Sequence, residues 1–106
     1  MEKEILDAYL YDFYGELLSE RARRLYEASR FLDLSLSEIA AEEGISRQAV
    51  FDLNKRSEEK LLHYEEKLRL VERFLKAKER ARSLAEENPA LAEKINEITG
   101  LLFEDY

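Results

Sequence analysis

Two serines and one glycine divide the middle of the chain into two short helical segments. Ser35 is a favourable N-cap, and Glu38 three residues later completes the pattern of a capping box. Gly44 lies where a first helix must end in a left-handed conformation, and Ser46 supplies a new N-cap shortly after it. These signals predict a helix-turn-helix, with an ordinary helical hairpin as the alternative. The side chains expected to face inward recur at helical spacing and are Ile39, Ala40, Ala49, Val50 and Leu53.

The outer face of the second helix carries the side chains that indicate a binding role. A helix that exposes long side chains in its first turns suits the DNA major groove. We expect Arg47 and Gln48 to read base edges, and Lys55 and Arg56 to contact phosphates. The predicted nucleic-acid-binding residues are Arg47, Gln48, Phe51, Lys55 and Arg56.

The composition favours a small helical bundle without catalytic chemistry. Among 106 residues there are only three glycines and one proline, so few and long elements are expected. The chain has no cysteine and one histidine, His63, which excludes metal sites that need cysteines or several imidazoles. We find no catalytic constellation and no phosphate-binding loop, and we expect no enzyme, metal or cofactor. No apolar run approaches the roughly 20 residues of a membrane span, and the N-terminus does not resemble a signal peptide, so the cytoplasm is the expected compartment.

The charge is unevenly distributed along the chain. The net charge of −7, from 17 basic and 24 acidic residues, works against non-specific binding to phosphates. Residues 46–62, however, carry four basic and three acidic side chains, whereas residues 35–45 carry three glutamates and no base. The candidate recognition helix therefore lies in one of the least acidic parts of the chain.

A long apolar pattern follows the candidate recognition helix. No glycine or proline occurs between Ser46 and Pro89, so the sequence permits one helix through Glu87, roughly 60 Å long. Two apolar seams on this helix indicate two packing partners, one of which is the first helix of the same chain. The other is predicted to be a second copy, giving a homodimer, and the alternative is that both seams pack within one chain. The predicted dimer interface repeats at spacings of three and four and consists of Leu61, Tyr64, Leu68, Val71 and Leu75.

Two regions are expected on this basis. Residues 1–62 form the helix-turn-helix domain, and residues 63–106 form a long-helix extension with a short C-terminal helix. A first helix is expected over about residues 3–18, and Asn88 and Pro89 are expected to begin the last helix, which Gly100 ends. The apolar tail at 101–103 is expected to pack, with a docking peptide as the alternative.

Several stretches resemble known protein families. Residues 19–62 resemble the promoter-reading C-terminal domain of bacterial sigma-70-type sigma factors. The chain up to about residue 80 is more similar to the YlxM family of bacterial helix-turn-helix proteins. The resemblance is carried by YDFY at 11–14, DLSL at 33–36, SRQAV at 46–50 and the pair Lys55-Arg56. It implies an all-α, sigma-factor-like helix-turn-helix bundle with a long C-terminal helix, and an accessory or regulatory link to the signal recognition particle.

The comparison with sigma factors leads to two functional expectations. Where the sigma pattern presents Arg and Glu and then Arg and Gln, this chain has Arg47 and Gln48 and then Phe51 and Asp52. The first pair is able to reach guanine or adenine edges, whereas Asp52 repels phosphates and the Phe51 ring suits a thymine methyl group or a protein pocket. The first expectation is a non-enzymatic DNA-binding regulator that dimerises. The alternative is an accessory protein of the signal recognition particle that binds its GTPase or RNA through Phe51.

Overall fold

Caps and apolar spacing place helices along the whole described chain, and the computed structural model, which describes residues 1–102, contains no strand in that range. One 3₁₀ turn, Gly15–Leu17, follows the first helix, and another, Pro89–Leu91, precedes the last. This confirms the all-α helix-turn-helix fold with a C-terminal helix. The sequence predicts that the apolar tail at 101–103 packs, but Leu101 and Leu102 are exposed, and residue 103 lies outside the described residues. The helices are α1 (Lys3–Tyr14), α2 (Glu20–Arg30), α3 (Leu36–Glu43), α4 (Arg47–Leu68), α5 (Leu70–Glu87) and α6 (Ala92–Leu102).

Three serines cap helices at their N-termini, and two of them, Ser35 and Ser46, are the caps that the sequence predicts. Ser19 Oγ accepts a hydrogen bond from the backbone N–H of Ala22 at 3.2 Å and begins α2. Ser35 and Glu38 make both hydrogen bonds of a capping box at the start of α3. Gly44 ends α3 in the left-handed region at φ 68°, which fixes the corner between α3 and α4.

The long helix that the sequence permits is interrupted at Arg69. Its φ of 53° is left-handed, and its N–H donates to Glu65 O at 2.8 Å, which closes the end of α4. The chain divides there into two compact units, Met1–Arg69 and a second unit that begins at Leu70. Residues 62 and 63, between which the sequence places a domain boundary, both lie inside α4.

Three other helix ends differ from the sequence expectation. The helix expected to reach residue 18 ends at Tyr14, because the chain tightens into a 3₁₀ turn at Gly15 and Leu18 N–H donates to Gly15 O. Asn88 does not cap a following helix, since its side chain donates back to Leu84 O at 3.2 Å. The last helix passes through Gly100 and continues to the end of the described chain.

The core of the first unit lies where α2, α3 and α4 meet. Leu25 of α2, Ile39 and Ala40 of α3, and Val50 of α4 are buried together. Ile45, in the corner after Gly44, is partly buried against them. Ile39, Ala40 and Val50 are among the residues that the helical spacing assigns to the inner side, so this packing turns the opposite side of α4 outward.

Candidate nucleic-acid interface

The first turns of α4 present two rows of side chains outside the core. Arg47, Phe51 and Lys55 are four residues apart and form one row along the helix surface. Gln48, Asp52 and Arg56 form a neighbouring row, in which only Asp52 is partly buried. Each row is about 12 Å long at 1.5 Å per residue, which is close to the width of the DNA major groove. All five residues proposed from the sequence to bind nucleic acid are therefore exposed on one helix.

The cations of these rows are available for an external partner. Within residues 1–102, Arg47, Lys55 and Arg56 make no hydrogen bond and no ion pair. Gln48 Nε2 instead donates to Asp52 Oδ1 at 3.0 Å, so the one carboxylate in these rows is partly engaged. The Phe51 side chain lies between Arg47 and Lys55 in its row and is 48% exposed. The surface thus combines three free positive charges with one aromatic ring.

A salt bridge holds the corner that positions α4. Arg24 of α2 donates to both carboxylate oxygens of Glu43 at the end of α3, with N···O distances of 2.7 and 2.9 Å. The hydrogen bond from Arg24 lowers the pKa of Glu43 below its usual value. This pair fixes the end of α3 against α2, and α4 begins only a few residues beyond it.

A second polar cluster connects α4 to α1 and α2. Glu58 of α4 accepts from Lys3 at 2.9 Å and from Arg30 at 3.1 Å, and both cations also approach Asp7. Burial acts to raise the pKa of Glu58, but the hydrogen bond from Lys3 and the charge of Arg30 outweigh burial and lower that pKa. The middle of α4 is therefore held by charged groups from two other helices.

Two polar residues that the sequence analysis did not assign lie on the buried side of α4. Asn54 is 6% exposed and Ser57 is 2% exposed. They follow Val50 at spacings of four and three, and Leu61 follows four residues later. This is the spacing of the inner face of a helix. Two polar residues at positions that this spacing assigns to the core were therefore the sequence signal by which Asn54 and Ser57 could have been found.

The residues of the predicted dimer seam lie in different environments. The Tyr64 ring lies 6.0 Å from the Tyr14 ring of α1, and Tyr14 donates to Glu65 at 2.6 Å. Leu61 and Val71 are 1% exposed, Leu75 is partly buried, and Leu68 is 47% exposed. The seam contact expected with the first helix of the same chain is present at Tyr64. The dimer interface itself stays a prediction.

Two kinds of feature are absent from residues 1–102, a metal-binding cluster and a membrane-spanning helix. Residues 1–102 contain no group of three or more His, Asp or Glu side chains placed to hold a metal ion. His63 is exposed on α4, with its ring 6.4 Å from that of Tyr64. No helix in the described range has the length and apolar character needed to cross a membrane.

Comparisons with known proteins agree with this architecture. The family described as "Putative helix-turn-helix protein, YlxM / p13 like" (UPF0122) matches residues 1–101. A UPF0122 protein of Shouchella clausii is 47% identical over 74 residues, covering 70% of this chain and 68% of the relative. A UPF0122 protein of Clostridium kluyveri is 49% identical over 72 residues, covering 68% of this chain and 65% of the relative. A third, from Halalkalibacterium halodurans, is 44% identical over 86 residues, covering 81% of this chain and 79% of that protein.

The matched stretch spans about two thirds of the length of the first two of these relatives. The family match nevertheless includes every residue of the α3–α4 corner and all of the exposed rows of α4. The chain therefore belongs to the UPF0122 family of YlxM/p13-like helix-turn-helix proteins.

Proposed function

We propose that this protein is a non-enzymatic DNA-binding regulator that places the first turns of α4 in the major groove. Arg47 and Gln48 contact base edges, and Lys55 and Arg56 contact phosphates. Phe51 packs on a thymine methyl group between these contacts. The observation that carries the proposal is the presence of three exposed and unpaired cations on the second helix of a capped helix-turn-helix, within residues 1–102.

The distribution of charge supports this role in spite of the net charge of −7. Phosphate contacts depend on local cations, and Arg47, Lys55 and Arg56 are not neutralised by any carboxylate of the described chain. Acidic surfaces elsewhere reduce non-specific association with DNA more than they affect a short, specific contact. The binding is therefore expected to depend steeply on these few residues.

Salt-dependent binding to duplex promoter fragments tests the assignment. Each phosphate contact contributes roughly 0.9 to the slope of log K against log salt, so Lys55→Ala and Arg56→Ala should each lower that slope by about 1. Arg47→Ala should weaken binding to a preferred sequence by about tenfold or more, because it removes a base contact. Lys60→Ala removes an exposed cation further along α4 and serves as the matched control. Equal losses for Arg47→Ala and Lys60→Ala would reject base reading by Arg47.

A second candidate function is favoured by the exposed Phe51 ring and by Asp52 beside it. An aromatic side chain that is 48% exposed suits a protein pocket, and a carboxylate in the same surface disfavours close approach to phosphates. On this alternative, the protein is an accessory of the signal recognition particle pathway and binds its GTPase or its RNA through Phe51.

A pull-down with the purified particle separates the two functions. Phe51→Ala should abolish capture of the GTPase or RNA and leave duplex DNA affinity unchanged if the accessory role is correct. Leu62→Ala, which removes an exposed apolar side chain further along α4, is the matched control. If Phe51→Ala weakens duplex binding and the wild-type protein captures no component of the particle, the DNA-binding role is retained and the accessory role is rejected.

A further inference from the structure

A cleft of about 350 Å³ lies on the flank of α4, beside the exposed rows. It is bounded by Arg30 from the end of α2, Leu36 from the start of α3, and Phe51, Asn54 and Lys55 from α4. A second hollow of about 410 Å³ shares Leu36 and Phe51 with the cleft and extends toward Arg47. The two spaces therefore adjoin the same apolar pair, and each is large enough for one or two amino-acid residues.

Asn54 is a buried polar residue in the lining of this cleft. Its side chain is more than nine-tenths buried, yet neither Oδ1 nor Nδ2 has a hydrogen-bond partner within residues 1–102. Arg30 Nε, in the same lining, is also buried without a partner there. Buried polar groups in folded proteins are normally satisfied, and a buried amide left unpaired destabilises the fold. A ligand group that hydrogen-bonds to the Asn54 amide removes this loss of stability.

The chemistry of Asn54 and its neighbours identifies the class of ligand. A carboxamide offers one acceptor and one donor side by side, which matches the N–H and C=O of a peptide backbone. Phe51 and Leu36 provide an apolar wall for a side chain. Lys55 lines the cleft and Arg47 lines the second hollow, and neither cation has a partner within residues 1–102. Glu58, the carboxylate in the lining of the cleft, is already bonded to Lys3 and Arg30. The charge that complements this surface is negative.

The shape of the site favours a peptide over a nucleic acid. A duplex is read by side chains that protrude from a helix into its groove, whereas here the protein surface is concave. A peptide side chain is able to enter a concave space without the unstacking that a nucleobase requires. The amide atoms of Asn54 are closed to solvent, so a neighbouring side chain must turn aside when a ligand bonds to them.

We propose that this cleft binds an acidic peptide segment of a partner protein, which packs an apolar side chain on Phe51 and Leu36 and pairs its backbone with Asn54. A carboxylate of the segment lies against Lys55. The site shares Phe51 and Lys55 with the proposed DNA contacts, whereas Asn54, on the inner side of α4, belongs to the peptide site alone.

Fluorescence anisotropy with three labelled hexapeptides tests the proposal on the full-length protein. EDLFDE should bind saturably, whereas EDSSDE, which lacks the apolar side chains, and KKLFKK, which reverses the charge, should each bind at least about tenfold more weakly. Asn54→Leu should weaken EDLFDE binding by about tenfold while the urea midpoint stays equal or rises, because leucine removes unpaired polar atoms from a buried position. Lys55→Ala should weaken binding by about threefold or more, and Lys60→Ala is its matched control.

Nuclear magnetic resonance keeps the proposal testable even if a variant fails to fold. The side-chain amide resonances of Asn54 in the ¹⁵N-labelled wild-type protein should shift when EDLFDE is added. Unchanged Asn54 resonances at saturating peptide, or equal affinity for EDLFDE and EDSSDE, would overturn the proposal. Binding of single-stranded oligothymidylate that Asn54→Leu abolishes would also overturn it, in favour of a nucleobase pocket. Duplex DNA binding by Asn54→Leu should equal that of the wild-type protein, so failure of the peptide site is distinguishable from failure of DNA recognition.

Discussion

Two buried tyrosines of the first unit differ in whether their hydroxyl groups have hydrogen-bond partners. Tyr14, 1% exposed, donates to Glu65 at 2.6 Å. Tyr26, fully buried, stacks on Tyr11 with ring centroids 5.3 Å apart, but its hydroxyl has no hydrogen-bond partner within residues 1–102. The same removal of one oxygen should therefore have opposite effects at the two positions.

Tyr26→Phe should leave the free energy of unfolding unchanged or raise it by up to about 1–2 kcal/mol, because it removes an unpaired buried hydroxyl and keeps the ring. Tyr14→Phe, the matched control, should lower that free energy by about 1–2 kcal/mol, because a hydrogen bond to a carboxylate is lost. Urea unfolding followed by circular dichroism at pH 7 measures both values. A clear loss of stability in Tyr26→Phe would show that its hydroxyl has a partner in solution.

The buried hydroxyl of Tyr26 should make the free energy of unfolding decrease at alkaline pH. Burial raises the pKa of Tyr26 from 10.0 to about 12. Between pH 10 and pH 12 the unfolded chain releases this proton while the folded protein keeps it, so the free energy of unfolding decreases as pH rises. The full effect is about 2–3 kcal/mol, at roughly 1.4 kcal/mol per pKa unit. The decrease between pH 9 and pH 11 should be smaller in Tyr26→Phe than in the wild-type protein, and equal slopes would contradict the assignment.

Single elements show why some helix ends were predictable and others were not. Ser35, Gly44 and Ser46 act through hydrogen bonds and backbone angles within a few residues, so their side-chain types alone predict the α3–α4 corner. Arg69 is not a residue type that marks a turn, yet its φ is 53° and its N–H donates to Glu65 O. The unpaired amide of Asn54 depends on the packing of three helices, although its inner spacing was visible in the sequence.

Substitution of Gly44 isolates the backbone contribution to the corner between α3 and α4. A Cβ atom at Gly44 meets nothing within 4 Å, so the only penalty of Gly44→Ala is the left-handed φ of 68°. We expect a loss of about 1 kcal/mol, and a smaller loss for Gly44→Asn, because asparagine tolerates this conformation better. Urea unfolding of the three proteins gives the order.

Gly15→Ala provides the contrasting case. The φ of Gly15 is −57°, outside the left-handed region, but a Cβ atom at this position would lie 2.9 Å from the Tyr11 ring. That ring is stacked on Tyr26 and is not free to move away. We expect a loss of stability accompanied by a change in the near-ultraviolet circular dichroism of the aromatic rings, which Gly44→Ala should not produce. If Gly44→Ala is as stable as the wild-type protein, the corner between α3 and α4 does not depend on the left-handed conformation of Gly44.

At the scale of the whole molecule, the predicted homodimer is tested best at Leu68. Of the seam residues, Leu61 and Val71 are buried in the chain itself, whereas Leu68 is 47% exposed. Leu68→Glu therefore places its charge on the surface of a monomer but inside a dimer interface, where it lacks a partner. Light scattering at tens of micromolar protein should give twice the chain mass for the wild-type protein and the chain mass for Leu68→Glu, with an unchanged helical content.

Leu62→Glu is the matched control for this charge, because Leu62 is 49% exposed on the same helix but lies outside the predicted seam. It should remain a dimer, since its side chain is not predicted to face the second copy. Loss of the dimer in both variants would indicate a general effect of added negative charge on a chain of net charge −7. If the wild-type protein is monomeric at this concentration, the predicted homodimer is rejected. Both apolar seams predicted from the sequence would then be assigned to packing within one chain.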